Sequence, residues 1–147
     1  MKRSFFVVGI GLVLLMAWSI GRMQGQQEDT KVVFVQASKA NFSPMPGGNG
    51  GVMTAPIRGD ATAGAFAAFT KFPPGYDAGW HTHTNDVSIV VIKGAYLYKD
   101  ENGEKRVGVG DFLLVPGGHK HWSGGDKKEG GLFYTESPGK FDLIPAK

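Results

Sequence analysis

His81 and His83 stand two residues apart in a strand-forming stretch, and His121 follows a Pro116-Gly117-Gly118 turn further along. Side chains at i and i+2 of a strand leave the same face. His81 and His83 can therefore reach one ion without bending the backbone, and His121 is placed to supply a third imidazole. Three neutral nitrogens around an ion with open positions suit redox or Lewis-acid chemistry. The chain has no cysteine, so the soft thiolate ligand is missing from any such site.

The elements that must position these groups are short strands. Residues 31–37 (KVVFVQA), 63–72, 80–84, 88–92 (SIVVI), 95–99 (AYLYK), 111–115 (DFLLV) and 131–136 (GLFYTE) are rich in β-branched and aromatic residues. Asn102-Gly103 signals a hairpin turn between two of them. Residues 41–56 hold four glycines, three prolines and two asparagines and read as a surface loop. No amphipathic helix and no repeat follows residue 25. Many short strands with Gly/Pro punctuation predict an all-β sandwich or barrel.

Two glycine-histidine blocks give this pattern a family likeness. Gly75, five residues, His81-Thr82-His83 and a strand ending at Gly94 resemble the first cupin motif. Gly110, five residues, Pro116-Gly117-Gly118, two residues and His121 resemble the second. Residues 95–109 separate the two, the short spacing of small cupins. The resemblance runs over roughly residues 63–137 and implies a single cupin-type antiparallel β-barrel or jelly-roll sandwich with the metal inside its mouth.

The cupin pattern would supply two histidines, a glutamate and a third histidine. His81, His83 and His121 fill three places, while the glutamate place falls at Val87 or Ser88. Asp86 lies one residue early, and strand alternation turns it away from the histidine face unless a bulge intervenes. The asparagine expected after the second motif falls at Gly125. An all-imidazole site favours copper, with iron, manganese and zinc as alternatives. His119 is open to three readings: a fourth ligand, a group bracing a ligand, or a solvated histidine beside Lys120.

Aromatic residues flank the ligands. Tyr76, Trp80 and Trp122 are candidate substrate-binding groups. Alternation turns Trp80 and Trp122 outward, onto the surface or a subunit interface, where they could stack on a sugar ring. Gly117, Gly118, Gly124 and Gly125 would keep the rim low. Tyr134 and Glu136 are the candidate catalytic pair, Glu136 being the best remaining carboxylate for an acid or base. Arg58 and Asp60 form either a buried or a loop pair.

The N-terminus reads as a secretory signal over residues 1–25. Lys2 and Arg3 precede an apolar run from Phe5 to Ile20, and polar residues follow, with cleavage expected after Gly21 or Gly25. The alternative is an uncleaved anchor, although 16 apolar-biased residues are short for a membrane span of about 20. No cysteine follows the run, which excludes a lipoprotein. The chain's formal charge of +3 belongs to this leader, which holds Lys2, Arg3 and Arg22 and no acid. Residues 26–147 then carry 13 basic and 13 acidic side chains, so no basic patch argues for nucleic acid. A domain of this size is held by its core, a metal or self-association when it has no disulfides. A homodimer through an edge strand at residues 31–37 is expected.

Size, export, a histidine-only site and aromatics resemble small secreted cupins that use copper to cleave cellulose oxidatively. That resemblance implies a secreted or periplasmic copper oxidoreductase acting on a polysaccharide, free of the membrane once the signal is cleaved. The alternatives are a cupin dioxygenase for small molecules using iron or manganese, a non-catalytic metal- or sugar-binding module, and a Lewis-acid isomerase or lyase.

Overall fold

Alternation is clearest where strands are covered on one side only. In Val87–Gly94, Val87, Ile89 and Val91 point inward while Ser88, Val90 and Ile92 point out. Gly131–Ser137 repeats the pattern, with Phe133 and Thr135 inside and Leu132, Tyr134 and Glu136 outside. A computed structural model describes residues 31–48 and 50–147; the expected leader over residues 1–25 lies outside them. The chain divides into two units, Met1–Val32 and Val33–Lys147, and every strand among the described residues belongs to the second.

Among the described residues, eleven strands follow one 3-10 turn: β1 (Ser43–Pro44), β2 (Met53–Gly59), β3 (Phe66–Phe72), β4 (Asp77–Thr82), β5 (Val87–Gly94), β6 (Tyr96–Asp100), β7 (Gly103–Val107), β8 (Phe112–Val115), β9 (His121–Gly125), β10 (Gly131–Ser137) and β11 (Ile144–Pro145). They form two antiparallel sheets, ordered β1-β2-β3-β10-β5-β8 and β11-β4-β9-β6-β7. This is the expected all-β jelly-roll sandwich, and no α-helix occurs among the described residues. Val87, Ile89, Val91, Tyr96, Tyr98, Val107, Val115 and Phe133 fill the space between the sheets, with Phe72 and Leu113 packed against them.

Several local expectations need correcting. Residues 31–37 do not form a strand: they run irregularly into a 3-10 turn at Ala37–Lys39. Val32 and Phe34 are 96% and 82% exposed, so the run has the composition of a strand without a surface to cover. The edge next to β2 is taken by β1 instead. The supposed loop at 41–56 contains β1 and the start of β2, where the register shifts between Pro56 and Arg58. A bulge accommodates the proline, which has no N–H to give the ladder. The Gly-rich β9 (HWSGG) and the two-residue β11 (IP) carry too little strand-forming composition to be read from the sequence.

The glycine ending the first motif has a steric reason. Gly94 adopts φ +70, and a Cβ placed there would lie 2.3 Å from the Gly130 carbonyl oxygen. Both the left-handed backbone and the close approach demand glycine. Gly94→Ala is expected to lower unfolding free energy by about 2–3 kcal/mol in urea titration. A change below about half a kilocalorie would contradict this account of the turn.

Candidate metal centre

The ladder between β4 and β9 pairs His81 directly with His121, and Trp80 with Trp122. His83 lies one residue beyond the end of β4. All three histidines are buried, at 1%, 6% and 0% exposure in sequence order. Their ring centroids are 4.2 Å (His81–His121), 4.9 Å (His81–His83) and 5.3 Å (His83–His121) apart. One nitrogen of each lies within 4.8 Å of those of the other two. Among the described residues, no other set of three or more His, Cys, Asp or Glu side chains comes together in this way.

Main-chain carbonyls fix which nitrogens face inward. The Nδ1 of His81 is 2.8 Å from the Gly79 oxygen, that of His83 is 2.5 Å from the Asp142 oxygen, and that of His121 is 3.0 Å from the His119 oxygen. A carbonyl only accepts, so each Nδ1 carries the proton and each Nε2 keeps its lone pair. This is how metal-binding histidines are braced. The Nε2 of His121 is buried without any hydrogen-bond partner. A fully enclosed acceptor without a donor is rare and costly, and a bound cation supplies what it lacks.

Burial also keeps the rings neutral. Desolvation pulls the His121 pKa down to about 4, against the opposing effect of its carbonyl contact. Desolvation likewise lowers His81 and His83, again outweighing their backbone hydrogen bonds. Neutral imidazole is the form that binds metal.

Two of the three rings, His81 and His83, border a narrow interior cavity of about 40 Å³. His81 and His83 line it with Val87, Ile89, Phe133, Phe141 and others. Tyr76, buried with its ring 4.4 Å from Phe72, belongs to the same lining. Of the two candidates for the glutamate place, Val87 faces the cavity and Ser88 faces out. No Asp or Glu is among the cavity-lining residues, so the donor set is neutral throughout.

The remaining candidates lie elsewhere. Tyr134 and Glu136 occupy the outer face of β10, away from the histidines, because the alternation that buries Phe133 and Thr135 turns them to solvent. There Tyr134 Oη donates to Glu136 Oε2 at 3.0 Å, and Arg58 pairs with Glu136 rather than Asp60. Asp60 instead accepts from Thr62. Asp86 accepts from the Gly117 N–H and does not join the histidines. The His119 ring points to Asp100, 3.3 Å away, so its carbonyl braces His121 while its imidazole is not in the cluster.

Trp80 and Trp122 face outward as alternation requires, bordering an open groove with Leu97, Lys99 and Arg106. The Trp122 ring lies over Gly124, whose hypothetical Cβ would meet it at 2.5 Å, and its Nε1 donates to Asp77. A ligand stacked on these tryptophans would be separated from the histidines by the sheet itself.

Three contributors were not found in the sequence. Asp142, Phe141 and Leu143 come from the C-terminal segment, close the cavity and brace His83. The alternating Phe141-Asp142-Leu143-Ile144 was the available signal, but nothing in it indicates that a carbonyl reaches back to His83.

Two antiparallel sheets enclosing a histidine cluster define a cupin. The chain belongs to the ChrR cupin-like domain family, whose model matches residues 30–138. Similar solved structures include the polyketide cyclase RemF from Streptomyces resistomycificus, 15% identical, with a TM-score of 0.64 over 80% of this chain and 87% of that one. A cupin-like protein of unknown function from Ralstonia eutropha is 23% identical, with a TM-score of 0.59 over 78% of each chain. The structure of Rhodobacter sphaeroides SigE in complex with the anti-sigma ChrR matches at 19% identity and a TM-score of 0.55, over 69% of this chain and 51% of that one. These likenesses speak for the fold alone. No curated protein matches the chain.

Proposed function

We propose that the protein is a metal-dependent oxidoreductase of small molecules, holding one transition-metal ion through the Nε2 atoms of His81, His83 and His121. The observation that carries this is the set of three Nδ1-to-carbonyl contacts, which orient three lone pairs toward one region. When bound, such an ion supplies electron transfer to a small oxidant of the dioxygen or peroxide class. Copper leads the choice because the donors are neutral imidazoles, with iron, manganese and zinc following.

The chain's own residues set what can react. Val87, Ile89, Phe133 and Phe141 give the site apolar walls, and a cavity of about 40 Å³ has room for a few water-sized groups, since about 10–15 Å³ suffices for one. It favours a ligand of a few heavy atoms. A polysaccharide resting on Trp80 and Trp122 lies across the sheet, so the geometry favours a small substrate over a glycan chain. Export by the 1–25 leader and pairing of two copies belong to the same proposal. The pairing face we favour is the outer row Phe69, Tyr134, Val90 and Phe112, which runs across β3, β10, β5 and the edge strand β8.

A second reading, a non-catalytic metal-binding module, is favoured by one observation: a valine stands where an acid or base would face the cavity. Elemental analysis followed by azide titration of the copper-loaded protein separates the two. One ion per chain whose electron paramagnetic resonance spectrum shifts with azide supports the oxidoreductase. One ion with an unmoved spectrum supports the module, and no ion removes both.

A further inference from the structure

The three histidines are not braced alike. His81 and His121 lean on carbonyls two residues upstream, Gly79 and His119, and the β4–β9 ladder pairs them. His83 lies past the end of β4 and leans on the carbonyl of Asp142, 59 residues away in sequence. We infer that residues 139–147 are a closing strap whose seating completes the metal centre, with Asp142 as the residue that positions His83. This rests on the metal-site reading above.

Asp142 grips two consecutive residues. Its carbonyl takes the His83 Nδ1–H, while its carboxylate takes the Thr84 N–H at 2.8 Å and the Thr84 hydroxyl at 2.5 Å. Around this clasp the strap is stitched to three parts of the fold. Asn85 Nδ2 donates to the Lys140 carbonyl, the Phe141 N–H donates to Ala61, and the Ala146 N–H donates to Trp80. β11 adds the pairs Ile144–Thr82 and Pro145–His81 along β4. Phe141 places its ring 5.3 Å from that of His83 and, with Leu143, forms part of the cavity lining.

The strap is also lightly held by the core. None of residues 139–147 is fully buried, β11 has two residues, both exposed, and the segment lies beyond the part of the chain that the family model matches. Elements with little buried apolar surface open at the lowest free-energy cost. Opening removes the Asp142 carbonyl from His83, whose ring is then free to turn, while His81 and His121 stay braced. It also withdraws Phe141 and Leu143 from the cavity lining. Ion retention and strap closure are therefore coupled, and the coupling is reciprocal: a strap that holds the ion is itself held by the ion.

The test uses the full-length chain with Zn²⁺ and Cu²⁺ as probes. Asp142→Ala removes the carboxylate half of the clasp, and Asp142→Asn retains an acceptor for the Thr84 N–H. Asp142→Ala is expected to release zinc to a chelator at least about tenfold faster, within the range seen when ligand-orienting partners are lost. Its copper spectrum should show two coupled nitrogens instead of three, and Asp142→Asn should recover most of both. In the unaltered chain, zinc should slow hydrogen exchange at the Phe141 and Ala146 amides. Zinc release at the unaltered rate with three nitrogens retained, or exchange indifferent to zinc, overturns the strap while leaving the histidine site standing. If Asp142→Ala does not fold, the exchange experiment on the unaltered chain decides. Failure of the unaltered chain to bind either ion removes the metal-site reading and the strap with it.

Discussion

His121→Ala is expected to abolish metal binding. Its Nε2 is buried and partnerless, and its ring lies 4.2 Å from that of His81. A tightly held structural ion is bound by on the order of 10 kcal/mol, so one ligand in three carries about 3 kcal/mol, or more than about a hundredfold in affinity. Metal content measured after dialysis should fall from about one per chain to a trace, and His81→Ala and His83→Ala should behave alike. His119→Ala is the internal control: it removes a ring that points to Asp100 and keeps the carbonyl that braces His121. Full metal content in His121→Ala, or loss of metal in His119→Ala, would show that the ion sits elsewhere.

The metal-free protein weakens in acid, with a window set by the same rings. His81, His83 and His121 each have a folded-state pKa below the ordinary 6.5, and His121 falls to about 4, chiefly through desolvation. Between those values the unfolded chain binds protons that the folded chain refuses, so stability rises with pH across the window. The contribution is complete above pH 6.5 and declines as pH falls toward 4. For His121 alone the span is about 3 kcal/mol. Urea midpoints of chelator-treated protein at pH 7.5, 5.5 and 4.5 should therefore descend, and His121→Phe should flatten part of the slope. Midpoints unchanged over that range would mean that the rings are not buried as neutral groups.

The histidine set was legible because it depends on two local regularities. The period of a strand placed His81 and His83 together, and the spacing Gly110 to His121 carried the third. The same period turned Trp80 and Trp122 outward. It would have turned Tyr134 and Glu136 outward too, had the inward residue of β10 been identified as Phe133; the strand was visible but its phase was not. Residues 31–37 misled because β-branched composition reports suitability for a half-covered surface, and no such surface was available. β2 was hidden by its proline and glycine neighbours. The Asp142–His83 contact links residues 59 apart through a carbonyl, a group every residue has, so composition carries no trace of it.

The bracing of all three ligands by main-chain oxygen has a consequence for how this site can change. A brace built from side chains is lost by a single codon change. Here no substitution at Gly79, His119 or Asp142 deletes the oxygen itself, although it can shift the backbone that carries it. Apart from the three histidines and the Asp142 carboxylate that seats its own carbonyl, the site is thus more exposed to changes in chain length than in chemistry. One residue inserted or deleted between Gly79 and His81, or between His119 and His121, would move a carbonyl out of register with the ring it supports. The surrounding sequence can drift widely while the path of the backbone stays fixed.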